Sequence, residues 1–213
     1  AAAGASKGEG DKLAHRAFPN LARMHVRRVL EFTFVVLDEL LLPRLQSTSR
    51  IVYLSPDTLA QYDVAHLLQI KMKKDKVIAP ARTCETTNAE WFNFDSVVVK
   101  MTLKRDECVM DLGVFMMDLD RYSSFKIASR VKDLAVRHKL RPIWTVDSFR
   151  APLVLALQGH VQRADAPWDV SRLGIDPELN PKLLDEAYIL RWSGPRKPWT
   201  TSGLYKNRWN KFR

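Results

Sequence analysis

The stretch from Leu112 to Leu119 is apolar almost throughout, with Asp118 as its single charge. It does not alternate, as a half-exposed strand would. That is the pattern of a central strand covered on both faces. Such a strand needs material above and below it, and the flanking segments supply both kinds. Arg50–Leu54 reads as a short buried strand ended by Ser55-Pro56-Asp57, with further strands at Val77–Ala79, Val161–Ala164 and Tyr188–Trp192. Helical spacing runs through Asp11–Gln46 (Leu21, Met24, Val29, Phe32, Val36, Leu40), interrupted at Pro19 and stopped by Pro43 and Ser47-Thr48-Ser49. It returns over Arg121–Lys139 through Phe125, Ala128, Val131 and Ala135. Shorter helical pieces are expected at Asp63–Leu68, Asn88–Phe94, Pro152–Leu157 and Gly203–Phe212, and an exposed loop at Lys71–Lys76. Strands alternating with helices define an α/β layered domain.

A chain of 213 residues allows one such core with arms. Residues 1–12 read as a low-complexity arm, 13–49 as a helical region, 50–200 as the folded domain and 201–213 as a basic aromatic C-terminal helix or tail. Because the chain starts at Ala1, it is expected to be processed or part of a longer product. The run Phe32–Leu42 is too short, and too charged at Asp38 and Glu39, to cross a bilayer; it reads as a core helix. Cys84 and Cys108 suit either packing or a disulfide, and two thiols make no zinc site. The five histidines (His15, His25, His66, His138, His160) show no ligand spacing.

The net charge of +10 favours anionic partners. From Ala187 to Arg213 there are seven Lys or Arg and no acidic residue, among six aromatics. Arg196, Lys206, Arg208, Lys211 and Arg213 are therefore candidate nucleic-acid contacts. The competing reading makes the aromatics core and the bases a solvated face.

The most particular motif is Leu190-Arg191-Trp192-Ser193-Gly194-Pro195-Arg196-Lys197-Pro198-Trp199. It resembles "LHWSGKGKPW" of glycosyltransferase family 8, and the rest of the chain follows in order. Leu54-Ser55-Pro56-Asp57-Thr58 with Asp63–Leu68 resembles "YLDSDTIV…GDVAELW". Cys84 and Glu90–Asn93 resemble the next loop. Cys108–Val114 running into Met117–Tyr122 resembles "CYFNAGVMVMDLDRW", and Ser148–Gly159 with Asp165–Asp169 and Leu173-Gly174 resembles the segment ending "DHRWNQHGLG". The galacturonosyltransferase-like branch is the most similar.

The resemblance implies a GT-A, Rossmann-like nucleotide-diphospho-sugar transferase fold and retaining transfer from a UDP-sugar. It also implies a divalent metal, typically manganese, on the two DxD aspartates and a C-terminal histidine. Carboxylate, imidazole and diphosphate oxygens suit such a cation, which neutralises the leaving group. Here the first aspartate is Ser55, the histidine is Arg191, and Asp57 remains. A permanent cation at 191 opposes a metal. The asparagine before the family's buried glycine is Asp111, and Trp-Asn has become Trp168-Asp169. Gly113, Gly174, Gly194, Lys197, Pro198 and Trp199 persist. A strand and turn that hold the nucleoside in the family have no counterpart before Ile51, so the fold is expected to be truncated in its N-terminal half and extended there by helix.

These departures lead to an expectation of a degenerate, non-catalytic glycosyltransferase-like subunit in a larger protein assembly. An organellar (mitochondrial) ribonucleoprotein, bringing RNA as a partner, is the setting its charge suggests, with the Golgi lumen as the alternative compartment. No cofactor is expected, and the residual nucleotide-sugar site comprises Asp57, Asp111, Gly113, Asp169, Gly174, Arg191, Gly194 and Lys197. The alternative is an active hexosyl or glycuronosyl transferase using a UDP-sugar without manganese. There Arg191, Arg196 and Lys197 clamp the diphosphate, Asp57 holds the ribose, and Asp111 or Asp169 positions an acceptor. Read locally, Asp57 is a turn residue, Asp111 and Asp169 are surface or capping carboxylates, and Arg191 snorkels beside Trp192.

Overall fold

A computed structural model describes residues 48–81, 84–146, 148, 150–162 and 168–211. The arm at 1–12 and nearly all of the helical region at 13–49, with its Phe32–Leu42 run, lie outside them.

The apolar run forms β4 (Val114–Asp118), buried at every position. It is the centre of a three-stranded sheet between β1 (Arg50–Leu54) and β3 (Ile78–Pro80), antiparallel to both. Leu54 faces Val114, and Ile78 and Ile51 both face Met117. One layer over this sheet is α5 (Arg150–Ala156), whose apolar side chains pack with Tyr53, Ile78, Phe115 and Met117 in the main core. The chain leaves β4 through α3 (Leu119–Ser124), capped by Asp118, whose carboxylate accepts the Arg121 amide at 3.0 Å.

A second sheet has the order β2-β6-β5: β2 is Thr58–Ala60, β5 Asp169–Val170 and β6 Ile189–Arg191. β2 is antiparallel to β6, with Thr58 opposite Arg191. β5 is parallel to it, with Asp169 opposite Ile189. The turn Ser55–Asp57 joins the two sheets. Its backbone is tied to both, because the Ser55 amide donates to Gly113 O (2.8 Å) and the Trp192 amide to Asp57 O (2.9 Å). This seam positions the candidate site.

Several expectations need correction. Arg121–Lys139 is not one helix: α3 ends and α4 (Ile127–Leu140) begins at Lys126, whose φ of 53° breaks the helical path. The helical turn expected at Asp63–Leu68 is present, as a 3-10 helix over Val64–Gln69 capped by Asp63. The helix expected over Asn88–Phe94 is only α1 (Asn88–Trp91), closed by a Thr87–Glu90 capping box. Val161 makes a single parallel bridge to Ile78 rather than opening a strand, and Ala164 lies outside the described residues. The terminal helix shrinks to α7 (Lys206–Asn210) because Tyr205 takes the left-handed conformation. In the Lys71–Lys76 loop, Met72 is buried against Met116. Two helices were not anticipated, α2 (Val97–Thr102) and α6 (Pro181–Glu186), the latter started by Asn180 and Pro181.

Candidate functional site

Thr58 pairs with Arg191, which sets Asp57 beside the end of β6. Ile189 and Arg191 are two residues apart and share a sheet face. The parallel partner of Ile189 is Asp169, so that carboxylate lies beside the Arg191 side chain. The Arg191 guanidinium donates to Asp169 Oδ2 from both Nε and Nη2 at 2.8 Å. Nη2 also pairs with Asp111 and approaches Glu85 Oε1 at 3.5 Å. Arg191 is 4% exposed and the Asp169 side chain fully buried, so the group is an internal ion cluster.

The surrounding backbone leaves room for it. The Asp111 carboxylate accepts the Gly113 amide at 2.7 Å, turning the chain into β4. A Cβ added to Gly113 would lie 2.6 Å from Arg191 Cζ, so glycine here is what lets the guanidinium settle. Gly194 has φ 94° in the turn after Trp192, and Gly174 backs onto the Ser193 carbonyl.

A second pair lies alongside. Lys197 Nζ is paired with Asp57 Oδ2 and donates to Trp192 O at 2.6 Å. Ser55 Oγ donates to the other Asp57 oxygen at 2.5 Å. Burial opposes the charged form of Asp57, yet hydrogen bonds from Lys197 and Ser55, with the charges of Lys197 and Arg191, hold its carboxyl below the usual value. Burial pushes Asp169 up to about 7 despite the attraction of Arg191, and its Oδ1 has no hydrogen-bond partner. Burial also opposes the charge on Arg191, but Asp169 and Asp111 hold that guanidinium charged beyond its ordinary range.

Of the eight residues expected at the site, Asp57, Asp111, Gly113, Arg191 and Gly194 line one pocket on this seam. Asp169 and Lys197 join it through Arg191 and Asp57, and Gly174 lies behind it against the Ser193 carbonyl. Three local readings are overturned by tertiary pairing: Asp57 is an ion-pair partner rather than a plain turn residue, Asp111 and Asp169 are cluster members, and Arg191 does not snorkel. Glu85 was missed. Its signal was weak: it follows Cys84, whose disulfide to Cys108 pins the loop carrying it close to the segment leading to Asp111. Trp91 and Arg150 also line the pocket above the cluster, which measures about 250 Å³.

The donor set does not fit the divalent metal implied by the fold. Ser55 spends its hydroxyl on Asp57, Asp57 is paired with Lys197, and a guanidinium sits among the other carboxylates. Among the described residues no three His, Cys, Asp or Glu are placed together to hold a metal ion.

The C-terminal bases turn back onto the protein. Arg208 pairs with Asp185 at 2.6 Å, Lys206 donates to Thr201 O at 2.7 Å, and Arg196 donates to Ile175 O. Lys211 is exposed, and Arg213 lies outside the described residues. Trp192 and Trp209 are buried in edge-to-face contact, with centroids 5.3 Å apart, while Trp199 is exposed. No helix among the described residues is long and apolar enough to cross a membrane.

Two packed sheets that carry a carboxylate turn, a buried-glycine strand and a Trp-Ser-Gly turn on one seam define a GT-A glycosyltransferase-like domain. The sequence model of glycosyl transferase family 8 matches residues 30–203, and the chain belongs to that family. It is similar to hexosyltransferase GAUT11 of Arabidopsis thaliana, 24% identical over 76% of this chain and 31% of that protein. It is also similar to probable galacturonosyltransferase-like 4 of the same plant, 26% identical over 72% of this chain and 45% of that protein. The chain thus spans less than half the length of either relative. Among solved structures, galactosyltransferase LgtC in complex with donor and acceptor sugar analogues superimposes with a TM-score of 0.56, at 14% identity over 93% of this chain and 70% of that one. Apo glycosyltransferase GlyE of Streptococcus pneumoniae gives 0.59, at 14% identity over 83% of this chain and 42% of that one. These likenesses establish the fold.

Proposed function

We propose that this chain is a non-catalytic member of glycosyl transferase family 8, serving as a structural or interaction subunit of a larger assembly. The observation that carries this is the burial of the Arg191 guanidinium among Asp169, Asp111 and Glu85. A UDP-sugar site needs positive charge turned outward onto a diphosphate. Here Arg191 and Lys197 are each bound to carboxylates, and Arg196 to a carbonyl. Asp57, Glu85 and Asp111 line the pocket beside Arg150 and Arg191, so its wall offers no excess of positive charge to a diphosphate. The pocket of about 250 Å³ also falls below the roughly 300–1,000 Å³ of small-molecule sites.

The ribonucleoprotein setting draws its support from the net charge of +10 alone. The Cys84–Cys108 disulfide supports an oxidising compartment, such as the secretory lumen, over the mitochondrial matrix. The inward-turned C-terminal bases and aromatics support protein partners over RNA. The active, metal-independent alternative requires Arg191 and Lys197 to leave their carboxylates when a nucleotide arrives.

Calorimetric titration of the chain with UDP-galacturonate and UDP-galactose, with and without manganese, tests the proposal. No binding heat is expected in either condition. Metal-dependent micromolar binding contradicts it, and metal-independent micromolar binding establishes the clamp instead.

A further inference from the structure

The start of α2 and the end of α4 form a second recess of about 490 Å³, lined by Asp95, Val97, Val98, Arg137, Leu140 and Ile143 among others. Its frame is hydrogen-bonded rather than loose. The Asn93 amide donates to Ile143 O (2.9 Å), Asn93 Nδ2 to Pro142 O (3.0 Å), and the Thr145 amide to Trp91 O (2.8 Å). His138 Nδ1 accepts the Ile143 amide at 3.0 Å, and its ring stacks on Trp144. Ile143 forms a buried apolar floor.

The lips are unusual for a solvated surface. Val97 is 67% exposed, Met101 84%, Val136 61% and Leu140 80%. Met101 follows Val97 by four residues on α2, and Leu140 follows Val136 by four on α4, so each pair shares a helix face. Val97 and Leu140 line the recess itself, and Met101 and Val136 continue the same helix faces beyond it; exposed apolar surface of this kind marks interaction sites. Arg137 and Arg141 line the recess, and Lys100 stands between Val97 and Met101 on α2; all three are exposed. The carboxylates on this side are Asp95 in the recess and Asp133 one turn up α4. The three cations outnumber them.

We infer that this groove docks an amphipathic helix of a partner protein, one that carries acidic residues beside its apolar stripe. A recess between two helices receives a ridge of side chains at i, i+3/i+4 and i+7, which a flat bilayer does not offer. A second copy of this chain would bring the same basic rim and be repelled. No residue lining the recess lines the pocket above Arg191, so a failed peptide titration leaves the non-catalytic reading untouched.

The test uses the full chain and a fluorescein-labelled helical peptide of about 16 residues, with leucines at i, i+4, i+7 and i+11 flanked by glutamates. Anisotropy is expected to show saturable binding. Leu140→Asp and Met101→Asp should each weaken it at least about tenfold, as should Arg137→Glu with Arg141→Glu. Both apolar side chains are exposed, so these variants should melt with the parent. Several outcomes overturn the inference: no binding by the full chain (including the case where its own residues 1–47 fill the groove), binding unchanged in the variants, or equal binding of a lysine-for-glutamate peptide. So do self-association in sedimentation that Leu140→Asp abolishes, and adsorption to phosphatidylserine vesicles stronger than to the peptide.

Discussion

Arg191→Met keeps most of the side-chain length and deletes the charge. The variant loses two 2.8 Å contacts to Asp169, the pairing with Asp111 and the approach to Glu85. It leaves the buried Asp169 carboxylate facing Asp111 with no counter-charge from position 191. Removing one partner of a buried ion pair costs about 3–5 kcal/mol, because the other charge is stranded. At about 2–4 °C per kcal/mol for a chain of this size, the melting temperature should fall by about 6–20 °C at pH 8. The pH dependence carries a definite sign. In the parent, Asp169 titrates at about 7 when folded against an ordinary 3.8. Its cost to stability is therefore absent below about pH 4 and grows as pH rises to about 7. Without the attraction of Arg191 the Asp169 carboxyl is pushed further up, so the deficit of the variant should be small near pH 4 and largest at pH 8. Circular dichroism melts across that range measure it. Arg191→Met combined with Asp111→Asn and Asp169→Asn should recover most of the loss. A deficit under about 1 kcal/mol at pH 8, or one that grows toward acid, would refute the cluster as the structural centre of the site.

Gly113→Ala puts a methyl against the guanidinium and should cost about 1–3 kcal/mol in denaturant melts; in Arg191→Ala the same change should cost far less, a non-additivity that reports the contact. Replacing Cys84 and Cys108 with serine opens a loop of 24 residues and should cost about 3.5 kcal/mol by the chain-entropy relation. A melt unchanged by dithiothreitol would contradict that pairing.

What was legible in the sequence followed local physics. β4 announced itself because a strand buried at every position must be apolar at nearly every position, and the α4 periodicity held because it forms a long regular helix. β2 and β5, three and two residues long, were invisible: they are strands only because β6 pairs with both. The break at Lys126 was hidden because lysine carries no signal for positive φ. The motif resemblance singled out residues that the fold brings near one another, but it did not show how they pair. Asp111 and Asp169 lie 80 and 22 residues from Arg191, and read singly each carboxylate looks like a cap or a surface group. The β5–β6 register brings Asp169, and the turn into β4 brings Asp111, onto one guanidinium. Glu85 had still less to mark it, since its place follows from the disulfide beside it.

We propose that the buried Arg191 guanidinium replaces the cation that the family resemblance implies. Electron paramagnetic resonance of manganese tests this most directly, with the free-ion signal followed as the chain is added, with and without UDP. The signal should keep its full intensity in both series. Stoichiometric loss of signal at micromolar protein, abolished by Asp57→Asn, would contradict the claim.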